Sequence, residues 1–119
     1  MGTVNGLSNP NGLKGLTLQL TGMRKRGLFE HLAETFQVLG DFSRVQIVWA
    51  LGNRELNVGE LVSVTGMSQP AVSHHLRTLR NLRLVRVRRE GRTSFYSLDD
   101  HHINGLLQEG IDHVEDLIK

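Results

Sequence analysis

The stretch from Ser68 to Arg80, SQPAVSHHLRTLR, constrains the fold most, because it carries two opposed faces at helical spacing. Val72, Leu76 and Leu79 recur at positions i, i+4 and i+7, which predicts a side that packs inward. Ser68 is a favoured N-cap residue, so the start of this helix is well marked. Hydrogen-bonding and cationic residues fall on the opposite, outer face: Gln69, Ser73, His74, Arg77 and Arg80.

A second, shorter helix is predicted immediately upstream. Asn57 and Glu60 have the spacing of a capping box, in which each side chain accepts the backbone N–H of the other residue. Gly66 can supply the left-handed turn that ends this helix, two residues before the Ser68 cap. Two helices joined in this way predict a helix-turn-helix, whose second helix enters the major groove of DNA. The alternative is a helical hairpin with a solvated polar face.

After the helix predicted from Ser68 to Arg80, which we call the recognition helix, the hydrophobic pattern changes to that of strands. The runs LRLVRV and TSFYSL flank a turn that contains Gly91, which predicts a β-hairpin. Seven arginines and one acid lie between Arg77 and Arg92. A charge run is usually a solvated face, but this one coincides with both predicted DNA-facing elements. The hairpin therefore predicts a winged helix, with three arginines placed to meet phosphates or the minor groove: Arg88, Arg89 and Arg92.

Three segments resemble the ArsR/SmtB family of bacterial metal-responsive repressors: VGELV from Val58, SQPAVSHHLRTL from Ser68 and LVRVRREGRTSFYSL from Leu84. The resemblance covers residues 28–118. It implies a homodimeric repressor that binds a palindromic operator and releases it when an inducer binds. The expected fold is mainly α with a small β-hairpin, a winged helix-turn-helix that dimerises through its first and last helices. The predicted DNA-binding residues are Ser68, Gln69, Ser73, His74, Arg77, Arg88 and Arg92.

Composition sets outer limits on the chain. Its 119 residues are enough for one domain, and the absence of cysteine excludes disulfides, thiolate metal sites and thiol redox sensing. The sequence lacks an apolar run of ~20 residues, so we expect a soluble, cytoplasmic bacterial protein with no membrane span. Charge is basic in the N-terminal segment and the wing and acidic from Asp99 to Asp116, which suggests a polyanion and a cation as partners.

Residues 1–27 are rich in Gly and Asn, carry four positive charges without an acid, and show no sustained period. We interpret them as a flexible basic arm before a winged helix-turn-helix domain at residues 28–119. Two core helices are expected to open that domain, the first ending at Gly40 and the second capped by Asp41. Phe36 and Trp49 are expected to pack within the core.

A last helix is predicted within residues 99–117. It carries an apolar face suited to a dimer, together with candidate metal ligands. His102 and His113 share one side of it, but eleven residues separate them by ~16 Å along the axis, so they cannot ligate one metal within one chain. An antiparallel partner helix would bring Asp100 and His102 of one subunit opposite His113 and Asp116 of the other. Two carboxylate oxygens and two imidazole nitrogens form a tetrahedral set that suits zinc.

The resemblance supports this ligand set, because the family's C-terminal-helix sensors place Asp and His near the helix start and His plus Glu or His near its end. Asp116 departs from that pattern, since Asp is shorter than Glu. A metal-bound imidazole usually donates its other N–H to a backbone carbonyl, which for His113 is expected near Arg83. We expect a divalent metal as the inducer: zinc, with cobalt, nickel and cadmium as alternatives.

Two other classes of function compete with this prediction. A regulator of the same fold could lack metal sensing, its last helix being purely structural. The second class is an enzyme, a zinc hydrolase, and it is disfavoured because the sequence has no His-Glu-x-x-His arrangement, no G-x-S-x-G elbow and no paired carboxylates apart from those at the ends of the last helix.

Overall fold

The computed structural model describes residues 10–21 and 27–119, in which six helices and three strands are formed. In chain order they are α1 (Pro10–Thr21), α2 (Leu28–Leu39), α3 (Phe42–Leu51), β1 (Leu56–Asn57), α4 (Val58–Thr65), α5 (Gln69–Asn81), β2 (Val85–Glu90), β3 (Thr93–Leu98) and α6 (His101–Ile118). The chain divides into two units, residues 1–34 and residues 35–119. Among the described helices, none has the length and apolarity that crossing a membrane requires.

The first unit contains a helix that the sequence analysis did not predict. Helix α1 occupies residues 10–21 of the segment interpreted as an arm, and the hydroxyls of Thr17 and Thr21 donate to carbonyls four residues earlier. Gly12 and Gly15 weaken its helical signal in the sequence, because glycine is a poor helix former. The interpretation of residues 1–27 is corrected to this extent. Residues 1–9 and 22–26 of that segment, with the basic cluster at 24–26, lie outside the described residues, and flexibility stays a prediction.

The second unit packs four helices, α3 to α6, and a sheet around one core. The predicted inner residues of α5, Val72, Leu76 and Leu79, are at most 1% exposed, which confirms the inward face. Apolar residues from the neighbouring elements complete this core: Ile47, Val48, Ala50, Leu51, Leu61, Leu84, Val85, Leu98 and Ile103.

Both helices of the helix-turn-helix begin at their predicted caps. The Asn57 Oδ1 accepts the Glu60 N–H at 2.8 Å, and the Glu60 Oε1 accepts the Asn57 N–H at 2.9 Å, which completes the capping box. Gly66 ends α4 in the left-handed region, with a φ of 74°. The Ser68 hydroxyl then accepts the Ala71 N–H at the start of α5. The winged helix-turn-helix prediction is confirmed.

The wing belongs to a three-stranded antiparallel sheet rather than to a hairpin alone. The strand order is β1-β3-β2, so β3 is the central strand. The predicted hairpin pairs Glu90 with Thr93 across a two-residue turn in which Gly91 has a φ of 61°. Strand β1 contains two residues, Leu56 and Asn57, which is too short for an alternating pattern to appear in the sequence.

Phe36 and Trp49 do not lie in the core, contrary to the prediction. Trp49 is 63% exposed and Phe36 is 50% exposed. On α3 the inward side is occupied by Ile47, Val48 and Leu51, and Trp49 follows Val48 by about 100° of helical rotation, which turns it outward.

Candidate nucleic-acid interface and metal site

The outer face of α5 is directed toward solvent, because the inner face of the same helix is buried in the core. Gln69, His74 and Arg77 are exposed, whereas Ser73 is half-buried at the edge of the face. Ser68 is exposed and uses its hydroxyl oxygen as the helix cap, which leaves the O–H able to donate. Five of the predicted DNA-binding residues therefore lie along one surface, running from the N-terminus of α5 to its third turn.

Two adjacent histidines of α5 face different surroundings. His74 is exposed and meets the neighbouring ring edge-on, with 5.6 Å between centroids. His75 turns toward α3, where its Nδ1 lies 3.5 Å from the Arg44 Nη1. The Arg44 Nε also donates to the Val38 carbonyl at 2.7 Å. Arg44, which the sequence analysis did not single out, therefore joins the end of α2 to the recognition helix.

Asp41, the acid at the start of α3, has a pKa below its ordinary value. Asp41 accepts the backbone N–H of Arg44 at 3.0 Å, and this hydrogen bond holds the pKa of the Asp41 carboxyl below its ordinary value. The charges of Arg44 and His75 lower the pKa further, although desolvation opposes them. The hydrogen bond from Arg44 to Asp41 confirms the predicted cap of this helix.

The wing arginines differ in what they contact. Arg92 is exposed at the turn of the hairpin. Arg88 is held by two carboxylates: its Nε and Nη2 donate to Glu55 at 2.9–3.1 Å, and its Nη1 donates to Glu90 at 3.3 Å. The hydrogen bond from Arg88 is the main reason that the Glu55 pKa is lowered. The same hydrogen bond is the main reason that the pKa of Arg88 is raised. Arg88, predicted to bind DNA, thus already has protein partners.

The predicted metal ligands form two pairs at opposite ends of one continuous helix. Asp100 is the N-cap of α6: its Oδ1 accepts the His102 N–H at 2.9 Å and lies 3.4 Å from the His102 Nδ1. His113 and Asp116 lie three residues apart near the other end, and both are exposed. Within residues 10–21 and 27–119, no three His, Cys, Asp or Glu side chains come together as a metal site. A four-ligand site shared between two chains stays a prediction.

The last helix also leaves much of its apolar face uncovered in the single chain. Ile103 is buried at its start, but Leu106, Val114 and Leu117 are 40%, 48% and 69% exposed. Leu107 and Ile111 on the same face are half-buried, so the most exposed part of the face is its C-terminal end.

Comparison with known proteins gives consistent matches. The family model described as bacterial regulatory protein, arsR family, matches residues 41–87. NmtR of Mycobacterium tuberculosis is 49% identical over 86 residues, which cover 72% of each chain. The transcriptional repressor SmtB homologue of Synechocystis is 44% identical over 87 residues, covering 73% of this chain and 66% of that protein.

Two solved structures are similar to this fold. The solution structure of apo-NmtR matches with a TM-score of 0.68 and 43% identity, covering 82% of each chain. The homodimeric winged helix-turn-helix domain of Mb0332 from Mycobacterium bovis matches with a TM-score of 0.72 and 25% identity, covering 83% of this chain and 94% of that one.

A capped helix with a cationic outer face, followed by a basic hairpin, defines the winged helix-turn-helix class of fold. The chain belongs to the ArsR family of bacterial regulatory proteins. It spans slightly less than two thirds of two of its curated relatives, 66% of the Synechocystis SmtB homologue and 65% of KmtR of Mycobacterium tuberculosis.

Proposed function

We propose that this protein is a dimeric transcriptional repressor of the bacterial cytoplasm, which binds a palindromic operator and releases it when a divalent metal binds. The observation that carries the proposal is the outer face of α5. Its polar and cationic side chains are presented by a helix whose opposite side is fully buried. The SmtB homologue, named a transcriptional repressor, supports the assignment of repression.

The proposed DNA contact follows from the geometry of α5. The N-terminus of a helix carries partial positive charge and unpaired N–H groups, which favour a phosphate beside Ser68 and Gln69. Arg77 lies two turns further along and is long enough to reach a base edge or phosphate. In a two-fold dimer, the two copies of α5 would enter major grooves about 34 Å apart.

Dimerisation is supported by apolar surface that a monomer would leave in water. Leu106, Val114 and Leu117 on α6 are 40–69% exposed, as is Phe36 on α2 at 50%. Contiguous apolar patches on a soluble chain usually mark an interface. The similarity to the homodimeric domain of Mb0332 supports a dimer, and the exposed apolar residues favour α2 and α6 as its interface.

The residues of α6 fit a zinc site that two chains share. Asp100 uses Oδ1 to cap the helix, so its Oδ2 is available as a ligand without loss of the cap. The imidazoles of His102 and His113 are exposed, and Asp116 would supply the second carboxylate. When bound, the metal would supply a cross-link between two copies of α6. Cobalt, nickel and cadmium accept similar ligands and are the alternatives.

Release of DNA requires a coupling free energy between the metal site and α5. A coupling of ~1–3 kcal/mol is typical and would lower DNA affinity about 5–150-fold. The test begins with selection of a duplex from a random library of about 30 bp, long enough for two half-sites one helical turn apart. Fluorescence anisotropy then measures binding during titration with each of the four metals.

The expected result is specific binding in chelator and weaker binding with at least one metal. Specific binding that none of the four metals changes would support the competing proposal, a regulator of the same fold without metal sensing. Failure to select any duplex would contradict the assignment as a DNA-binding regulator.

A further inference from the structure

Three side chains form a clamp across the wing sheet. Arg88 projects from the edge strand β2, and Glu55 immediately precedes the opposite edge strand β1. Their side chains meet over the central strand, where the Arg88 guanidinium carbon lies 5.0 Å from the centroid of the Phe95 ring. We call Glu55, Arg88 and Phe95 the sheet clamp.

The clamp holds the guanidinium in a defined position. Glu55 accepts from both the Nε and the Nη2 of Arg88, the fork geometry that gives charge-assisted pairs their directionality. Glu90 accepts from the remaining nitrogen, Nη1, at 3.3 Å. All three nitrogens therefore donate to carboxylates, and two negative charges surround one positive charge. A phosphate approaching Arg88 would have to displace one of these carboxylates and face the repulsion of the other.

The clamp also joins the wing to the helix-turn-helix. Glu55 lies two residues before Asn57, whose side chain caps α4. In the sheet register, Phe95 pairs with Asn57 on one side and with Arg88 on the other. A contact that spans all three strands therefore lies where the wing joins the helix-turn-helix.

We propose that Arg88 positions the wing for DNA binding and does not itself contact phosphate, because Glu55 occupies the place that a phosphate would take. This inference rests on the proposed function and replaces Arg88 as a predicted DNA ligand. On this assignment Arg92, which is exposed at the wing turn, would supply the wing contact with the DNA backbone.

Salt dependence separates these two roles. Each phosphate contact contributes about 0.9 to the slope of log affinity against log salt. The Arg92→Ala dimer should lose two contacts, which lowers the slope by about 1.8. The Arg88→Ala and Glu55→Gln dimers should both bind the duplex more weakly by a factor that is the same at every salt concentration, so the slope stays unchanged. The variant that carries both changes should bind no more weakly than Arg88→Ala alone. Asp112→Asn removes the same charge as Glu55→Gln from an exposed position on α6 and should leave affinity unchanged.

The measurements use the selected duplex between about 50 and 200 mM salt. A slope that falls in Arg88→Ala as it does in Arg92→Ala would overturn the proposal. So would a rise in both affinity and slope in Glu55→Gln, since that would mean that Glu55 merely withholds Arg88 from phosphate.

Amide hydrogen exchange provides a readout without DNA. Exchange of the β2 and β3 amides should be faster in Glu55→Gln and in Arg88→Ala than in the unmodified protein, and unchanged in Arg92→Ala. Unchanged exchange in the first two variants would overturn the clamp. If the unmodified protein failed to bind any duplex, the proposed function would fail, and the exchange result alone would then decide whether the clamp exists.

Discussion

The arrangement of the proposed metal ligands predicts which subunit supplies each one. Helix α6 is continuous from His101 to Ile118, so His102 and His113 are separated by ~16 Å along its axis. Zinc lies about 2.0–2.1 Å from each imidazole nitrogen, so two ligating nitrogens can be no more than ~4 Å apart. The difference of about 12 Å exceeds what side-chain rotation can close. Each proposed site must therefore take one histidine from each subunit.

Mixed dimers test this requirement by complementation. A homodimer of His102→Ala and a homodimer of His113→Ala should each contain no complete site. In the heterodimer of the two variants, one site carries both substitutions, whereas the other retains His102 of one chain and His113 of the other. Calorimetry on a differently tagged, purified heterodimer should detect about one tight zinc per dimer, against two for the unmodified protein.

His101→Ala is the matched control for these variants. His101 lies beside His102, with 4.1 Å between ring centroids, but it is outside the proposed ligand set. Its substitution should preserve two zinc ions per dimer. A heterodimer with no tight zinc, alongside an unmodified dimer with two, would refute the shared site and require the ligands to come from one chain.

Three further predictions concern α5, α4 and the wing. Arg77→Ala should weaken duplex binding by ~1–3 kcal/mol. In denaturant unfolding, the same variant should change the free energy of unfolding by less than ~0.5 kcal/mol, because Arg77 lies on the outer face. Leu76→Ala, on the buried face, should lower the free energy of unfolding by ~2–5 kcal/mol. Asn57→Ala removes the cap of α4 and should cost ~1 kcal/mol in the same assay; no loss would mean that the capping box contributes nothing. The lowered Glu55 pKa means that this carboxylate stabilises the fold above its ordinary value of 4.5 and loses that contribution as pH falls through the folded pKa. The free energy of unfolding should therefore fall less on acidification in Glu55→Gln than in the unmodified protein. Parallel curves of unfolding free energy against pH for the two proteins would mean that the Glu55–Arg88 pair does not stabilise the fold.

Features encoded by residues close together in the chain were predictable. The caps at Asp41, Asn57 and Ser68 each depend on residues three positions apart, and their side chains accept the expected backbone N–H groups. The buried stripe of α5 follows from its period in the same way. These local signals sufficed for the winged helix-turn-helix.

Features that depend on distant residues were not predictable. Glu55 and Arg88 are 33 residues apart, and nothing in the local sequence distinguishes Arg88 from its arginine neighbours. The position of Trp49 depends on which side of α3 meets the core, and its apolar character wrongly suggested burial. The proposed metal ligands would come together only in a dimer, so the fold of one chain leaves them as two separate pairs.

The proposed response to metal requires a physical connection between α6 and the recognition helix, and the backbone contains one. The Leu84 N–H donates to the Leu79 carbonyl at the end of α5, and the Leu84 carbonyl accepts the Asp99 N–H at 3.0 Å. Asp99 directly precedes Asp100, the cap of α6 and a proposed ligand.

Between α5 and Leu84 lies Arg83, whose φ of 58° makes it the one non-glycine residue with positive φ in the described part of the chain. An L-residue in this conformation is strained by about 1 kcal/mol or more, and such residues are common at switch regions. We propose that a shift at the start of α6 would reach the end of α5 through these two hydrogen bonds, which enclose the strained residue Arg83. This route does not require the predicted bond between His113 and the carbonyl near Arg83, so loss of that bond alone would leave a second connection between metal and DNA.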